Sequence, residues 1–77
     1  MAFKFLQACY GSQPVIYQGI DLWKADWIES HESQILLEPR QGEKYLFDIY
    51  YTTIGKKKIK FAFQEITNNV YAFFIDE

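Results

Sequence analysis

The clearest pattern lies in the C-terminal half. From Lys44 to Thr53, Tyr45, Phe47, Ile49 and Tyr51 fall on one parity, and Lys44, Asp48 and Thr52 on the other. A period of two marks a half-buried strand. Lys58 to Glu65 repeats it, with Ile59, Phe61 and Phe63 against Lys58, Lys60 and Gln64. Both apolar sets are odd-numbered, so residues that face each other on one buried face must have an even sum. A two-residue loop, Gly55-Lys56, would set Phe47 opposite Gln64 and part the two apolar sets. A three-residue loop, Thr53-Ile54-Gly55, pairs Thr52 with Lys56 and gives Gly55 the left-handed position. That register sets Ile49 opposite Ile59, Phe47 opposite Phe61 and Tyr45 opposite Phe63. Outside, it sets Asp48 opposite Lys60, a pair worth about 0.2–1 kcal/mol.

Val70 to Ile75 forms a third strand after a turn at Asn68-Asn69. A two-residue turn there pairs Phe63 with Phe74 and turns Val70, Ala72 and Phe74 inward. Tyr71, Phe73 and Ile75 then face out, and an odd loop swaps the two sets. Either way the strand is apolar on both faces, so it is covered twice or sits at an interface.

In the N-terminal half, Ile20, Trp23, Trp27 and Ile28 share one stripe of a helical wheel, with Asp26, Glu29 and Glu32 opposite. Asp21 stands where a cap would, after Gly19. This predicts a helix over Leu22 to His31 whose two tryptophans pack on the sheet. Ser33 to Glu38 reads as a strand with Ile35 and Leu37 on one parity. Ala2 to Cys9 reads as a strand or a short helix, and Val15 to Gln18 as a strand or an extended entry. Turns fall at Gly11-Ser12-Gln13-Pro14, Glu38-Pro39-Arg40-Gln41-Gly42, Ile54-Gly55 and Asn68-Asn69. The expected fold is α+β: a twisted antiparallel sheet of four to six strands, with a C-terminal β-meander and one amphipathic helix packed on one face.

Composition narrows the class. Seventy-seven residues make one domain, residues 1–77, with a small core. Aromatics are in excess: seven Phe, six Tyr and two Trp make 19% of the chain, more than one helix can cover. A net charge of −2 disfavours a general nucleic-acid binder, which is usually basic. Cys9 is alone, so the chain has no internal disulfide. That fits a reducing cytoplasm, as does a start, Met1-Ala2-Phe3-Lys4, without a secretory pattern. The longest apolar run, Val70 to Ile75, is far too short for a membrane-spanning helix.

Candidate chemistry is sparse. His31 is the single histidine, and nothing in the sequence brings it to Cys9 as a nucleophilic pair. Asp26, Glu29 and Glu32 lack the converging oxygen loop that a cation needs. Phosphate-loop, nucleophile-elbow and zinc motifs are missing, so neither enzyme nor cofactor is expected. Lys56, Lys57, Lys58 and Lys60 make the one basic cluster, at the tip and outer face of the main hairpin. The reading is a small non-catalytic protein-binding module, an inhibitor or regulatory or accessory protein, using an aromatic sheet face or edge, alone or as a homodimer. The expected partner-binding residues are Tyr50, Lys58, Lys60, Tyr71, Phe73 and Ile75. The rival is a single-stranded nucleic-acid binder using the lysine hairpin.

Overall fold

A computed structural model describes residues 2–76. Seven strands follow in order: β1 (Phe3–Tyr10), β2 (Ile16–Tyr17), β3 (Ile20–Asp21), β4 (Trp27–Glu38), β5 (Glu43–Ile54), β6 (Lys57–Thr67) and β7 (Val70–Asp76). Five form one antiparallel sheet in the order β1-β7-β6-β5-β4, and β2-β3 is a separate small hairpin. The described residues hold no helix, so the α+β expectation is overturned and the fold is all-β.

The expected helix over Leu22 to His31 is instead a turn followed by the first residues of β4. A helix of about ten residues is marginal without strong tertiary support. Twelve-residue β5 offers a long row of backbone donors and acceptors that need partners. Trp27–Glu38 supplies them along almost its whole length. Asp21 still acts as the sequence suggests, but for a turn: its Oδ1 accepts the Trp23 N–H at 3.0 Å and the Val15 N–H at 3.3 Å. The two tryptophans do pack on the sheet, both against Phe63.

The β5–β6 register is the one the parity argument rejected. Ile54 pairs with Lys57, Thr52 with Ile59 and Tyr50 with Phe61, around a two-residue loop of Gly55 and Lys56. Gly55, at φ +63°, takes the first central position, as a type II′ turn requires. Asp48 faces Phe63 rather than Lys60. The parity argument assumed one buried face; this sheet has two. Phe47 and Ile49 belong to one core, with Leu36, Ala62, Ile66, Ala72 and Phe74. Ile59, Phe61, Phe73 and Ile75 belong to the other, with Cys9, Val15 and Leu22.

The second core is roofed by residues 11–26, which leave β1, run through the β2–β3 hairpin and enter β4. Val15 and Leu22 anchor this lid, tied together by a 2.8 Å bond from the Leu22 N–H to the Val15 carbonyl. The first core has no covering layer among the described residues. Its rings close over the sheet: Phe47 of β5 meets Phe74 of β7 at 4.9 Å above β6, where Ala62 leaves room. Phe5 of β1 adds an edge contact to Phe74 at 5.6 Å. Irregular pairings at Phe5/Gln7, Glu29/Glu32 and Glu65/Thr67 raise the local twist, which brings such rings together.

The last turn is two residues, Asn68 and Asn69, with Asn69 at φ +60°. The irregularity at Ile66 then shifts the register, so Phe63 pairs with Phe73 and not Phe74. Ala2 to Cys9 resolves as strand: β1 pairs with β7, and an irregularity at Leu6 accounts for its blurred alternation. No helix is long and apolar enough to cross a membrane.

Candidate functional site: the free edge of β4

β4 lies at the end of the five-stranded order, so its outer edge pairs with no strand among the described residues. Its course is divided near Ser30 and His31. Glu29 faces Tyr50 and Glu32 faces Ile49, which leaves two residues unpaired in the ladder. His31 takes φ +63° there. Ser30 replaces the lost ladder contacts: its hydroxyl donates to the Ile49 carbonyl at 2.7 Å and accepts the Glu32 N–H at 3.1 Å. Beyond this point the strand runs regularly from Glu32 to Glu38, and Pro39 ends it.

That regular stretch is aliphatic on the outside. Ile35 is 64% exposed and Leu37 51%, and they share a face with Leu46, 58% exposed, which pairs with Ile35 across β4–β5. Ile28, 71% exposed, stands at the other end of the strand on the opposite face. From Ser33 to Leu37 the edge carries no charged side chain. Soluble proteins blunt free edges with charge, proline or irregular pairing, and an unblunted apolar edge is a place where another chain adds. At the strand's end Glu38 is fully buried; its Oε2 accepts the Gln41 N–H at 2.6 Å, and its Oε1 has no partner within the chain. Nearby, the Tyr45 hydroxyl lies between Gln41 Oε1 and Glu43 Oε2. Desolvation, and then the Glu43 and Glu38 carboxylates, push this phenol above its ordinary value.

The residues expected to bind a partner are split between the two faces of the sheet. Phe73 and Ile75 are 1% and 2% exposed beneath the 11–26 lid, so they offer no surface. Tyr71 is half-buried against the Trp23 ring at 5.0 Å. Tyr50 is half-buried, stacked on Phe63 at 5.0 Å with Trp27 edge-on at 4.7 Å. Burial, and then Asp48 and Glu29, raise its hydroxyl above the usual value. Lys58 and Lys60 lie on the other face, opposite Thr53 and Tyr51. Lys58 Nζ sits 4.1 Å above the Tyr51 ring and Lys60 Nζ at 5.9 Å, while the Tyr51 hydroxyl donates to Glu32 Oε2 at 3.4 Å. The lysines and the four residues Tyr50, Tyr71, Phe73 and Ile75 therefore do not form one surface.

Cys9 and His31 stand on the two edge strands, with three strands between them, so they make no nucleophilic pair. Among the described residues no group of three or more His, Cys, Asp or Glu could hold a metal ion. A concavity of about 1040 Å³, widely open to solvent, lies between the 19–26 turn, the start of β4 and the end of β5, with Trp27, Asp26, Lys24 and Thr53 at its walls. Sequence reasoning placed Ile35 and Leu37 on a common parity but did not assign that parity to a surface. Leu46 carried a usable signal, as a large aliphatic between Lys44 and Asp48 on the parity opposite Phe47 and Ile49. In comparisons with family models, with curated proteins and with solved structures, nothing matches this chain.

Proposed function

We propose that this chain is a non-catalytic protein-binding module that works through the free edge of β4, and that a second copy of the chain is what this edge binds. The supporting observation is the run of exposed aliphatic residues, Ile35 and Leu37 with Leu46 beside them, on a strand edge with no charge from Ser33 to Leu37. A second copy can lie along this stretch without bringing like charges together. The acidic residues Glu29 and Glu32 lie toward the other end of the strand, and antiparallel pairing carries the two sets apart. Each aliphatic side chain is a little more than half exposed. Covering all six in a dimer contributes on the order of 5–9 kcal/mol. Lost translational and rotational freedom offsets much of this. Association is therefore expected at micromolar rather than nanomolar concentration.

The nucleic-acid reading has less support, because the ring nearest the lysines, Tyr51, is already covered by Lys58. Sedimentation velocity over a micromolar to sub-millimolar range tests the self-association. The mass should rise from 9.2 kDa toward twice that value. Ile35→Lys should hold the chain at monomer mass with its far-ultraviolet circular dichroism unchanged, since the side chain packs in no core. A wild-type chain that stays monomeric throughout, or an Ile35→Lys chain that associates as well as wild type, refutes the reading.

A further inference from the structure

We propose that two copies join antiparallel through β4 about a two-fold axis at Leu36, so that two five-stranded sheets become one of ten strands. This rests on the self-association proposed above and specifies its register. Across an antiparallel boundary, facing side chains stand on the same face of the sheet. In β4, Ser33, Ile35 and Leu37 stand on one face, and Glu32, Gln34, Leu36 and Glu38 on the other. A symmetric pair must therefore have its axis at a residue, and the regular stretch offers three near its centre: Gln34, Ile35 and Leu36.

The three differ in what they bring together. An axis at Gln34 sets Ile35 against Ser33 and Glu32 against Leu36, and pushes Leu37 into the irregular segment at His31. An axis at Ile35 sets Leu37 against Ser33 and Glu32 against Glu38, like charges directly opposed. An axis at Leu36 sets Ile35 of each copy against Leu37 of the other, and Leu36 against Leu36. Leu46 flanks Ile35 on that face, so the aliphatic band runs unbroken across the junction. The same register brings Gln34 of one copy alongside Glu38 of the other, the carboxylate whose Oε1 has no partner in its own chain. Pro39, which has no N–H, meets Ser33 and closes the ladder at each end. Arg40, exposed in the following turn, comes to the side of Glu32 of the second copy. This axis alone joins every aliphatic residue to another and opposes no like charges.

Charge-complementary mixing tests the register. Ile35→Lys and Leu37→Glu, each alone, should weaken dimerisation by about 100-fold or more. Mixed in equal amounts they should form a heterodimer with a dissociation constant within about 10-fold of the wild-type one. In the Leu36 register the introduced lysine faces the introduced glutamate, while the unaltered Leu37 and Ile35 face each other on the far side of the axis. In the other two registers the substituted positions never meet. A wild-type dimer whose two variants stay monomeric on mixing overturns the register and leaves self-association standing. A monomeric wild-type chain overturns both. If either charged variant fails to fold, Ile35→Cys and Leu37→Cys carry the same test. Oxidised together they should cross-link as a mixed dimer, and oxidised separately they should not. Cross-linking of either one alone overturns the Leu36 axis.

Discussion

Trp23 decides whether the aromatic face of the sheet is covered. It stands in the 11–26 lid and meets three rings edge-on: Tyr71 at 5.0 Å, Phe73 at 5.2 Å and Phe63 at 5.5 Å. Trp23→Ala removes that roof. A fully buried tryptophan truncated to alanine costs about 3–5 kcal/mol, and half-buried Trp23 stands near the lower end; part of the loss is the edge-to-face contacts, each about 0.5–1.5 kcal/mol beyond area burial. A 77-residue domain has roughly 4–12 kcal/mol in total. The substitution therefore removes a large share, and the melting temperature should fall by about 12 °C at about 4 °C per kcal/mol. Trp23→Phe is the informative control. It keeps a ring over the aromatic face and deletes the buried indole N–H, which points to the Cys9 thiol without a close hydrogen bond. That variant should lose far less, since it keeps the ring contacts and gives up only a weak interaction with sulfur. Calorimetry and urea unfolding on the three proteins give the comparison. A Trp23→Ala protein that melts within about 4 °C of wild type would show that the lid does not hold the second core. Equal losses for Ala and Phe would show that the rings do not carry the lid's energy.

Three further outcomes follow from the same structure. Phe47→Ala should cost about 3–5 kcal/mol, read from urea unfolding, because the ring is fully buried and its partner Phe74 has no other layer above it. Gly55→Val should melt well below Gly55→Asn. The space around Gly55 is open, so the difference comes from its φ of +63°, which Asn tolerates and a β-branched residue does not. Burial raises the Cys9 thiol above its ordinary 9.0, the Trp23 side chain opposing the rise and Asp21 adding to it. Its contribution is fully present below that value and is lost as pH rises above it through the raised folded value, because the unfolded chain gives up the proton first. Cys9→Ala should therefore flatten the alkaline end of the urea-midpoint profile against pH, and the native thiol should react with a disulfide reagent far more slowly than the unfolded one.

Local chemistry determined much of this protein from the sequence alone. The alternation from Lys44 to Thr53 and from Lys58 to Glu65, and the turns at Gly11, Pro39, Gly55 and Asn69, are properties of a few neighbouring residues, and the strands and turns fall where those residues put them. The twin apolar faces of Val70 to Ile75 left two outcomes open, a strand covered twice or one at an interface, and the structure covers it twice, against the expectation that Phe73 and Ile75 would bind a partner. Three things were decided only by the tertiary structure. Residues 22–31 carry a helical stripe, yet the unpaired edge of β5 drew Trp27–Glu38 into a strand, since a long row of backbone groups outweighs a ten-residue propensity. The β5–β6 register depended on how many faces the sheet buries, and no single strand contains that number. Phe73 and Ile75 became core, and Ile35 and Leu37 became surface, because the lid from residues 11–26 folds over one half of a face and leaves the other half bare. Which half a lid covers is set by contacts between residues far apart in the chain, such as Trp23 with Phe73, and a pattern read along the chain does not hold them.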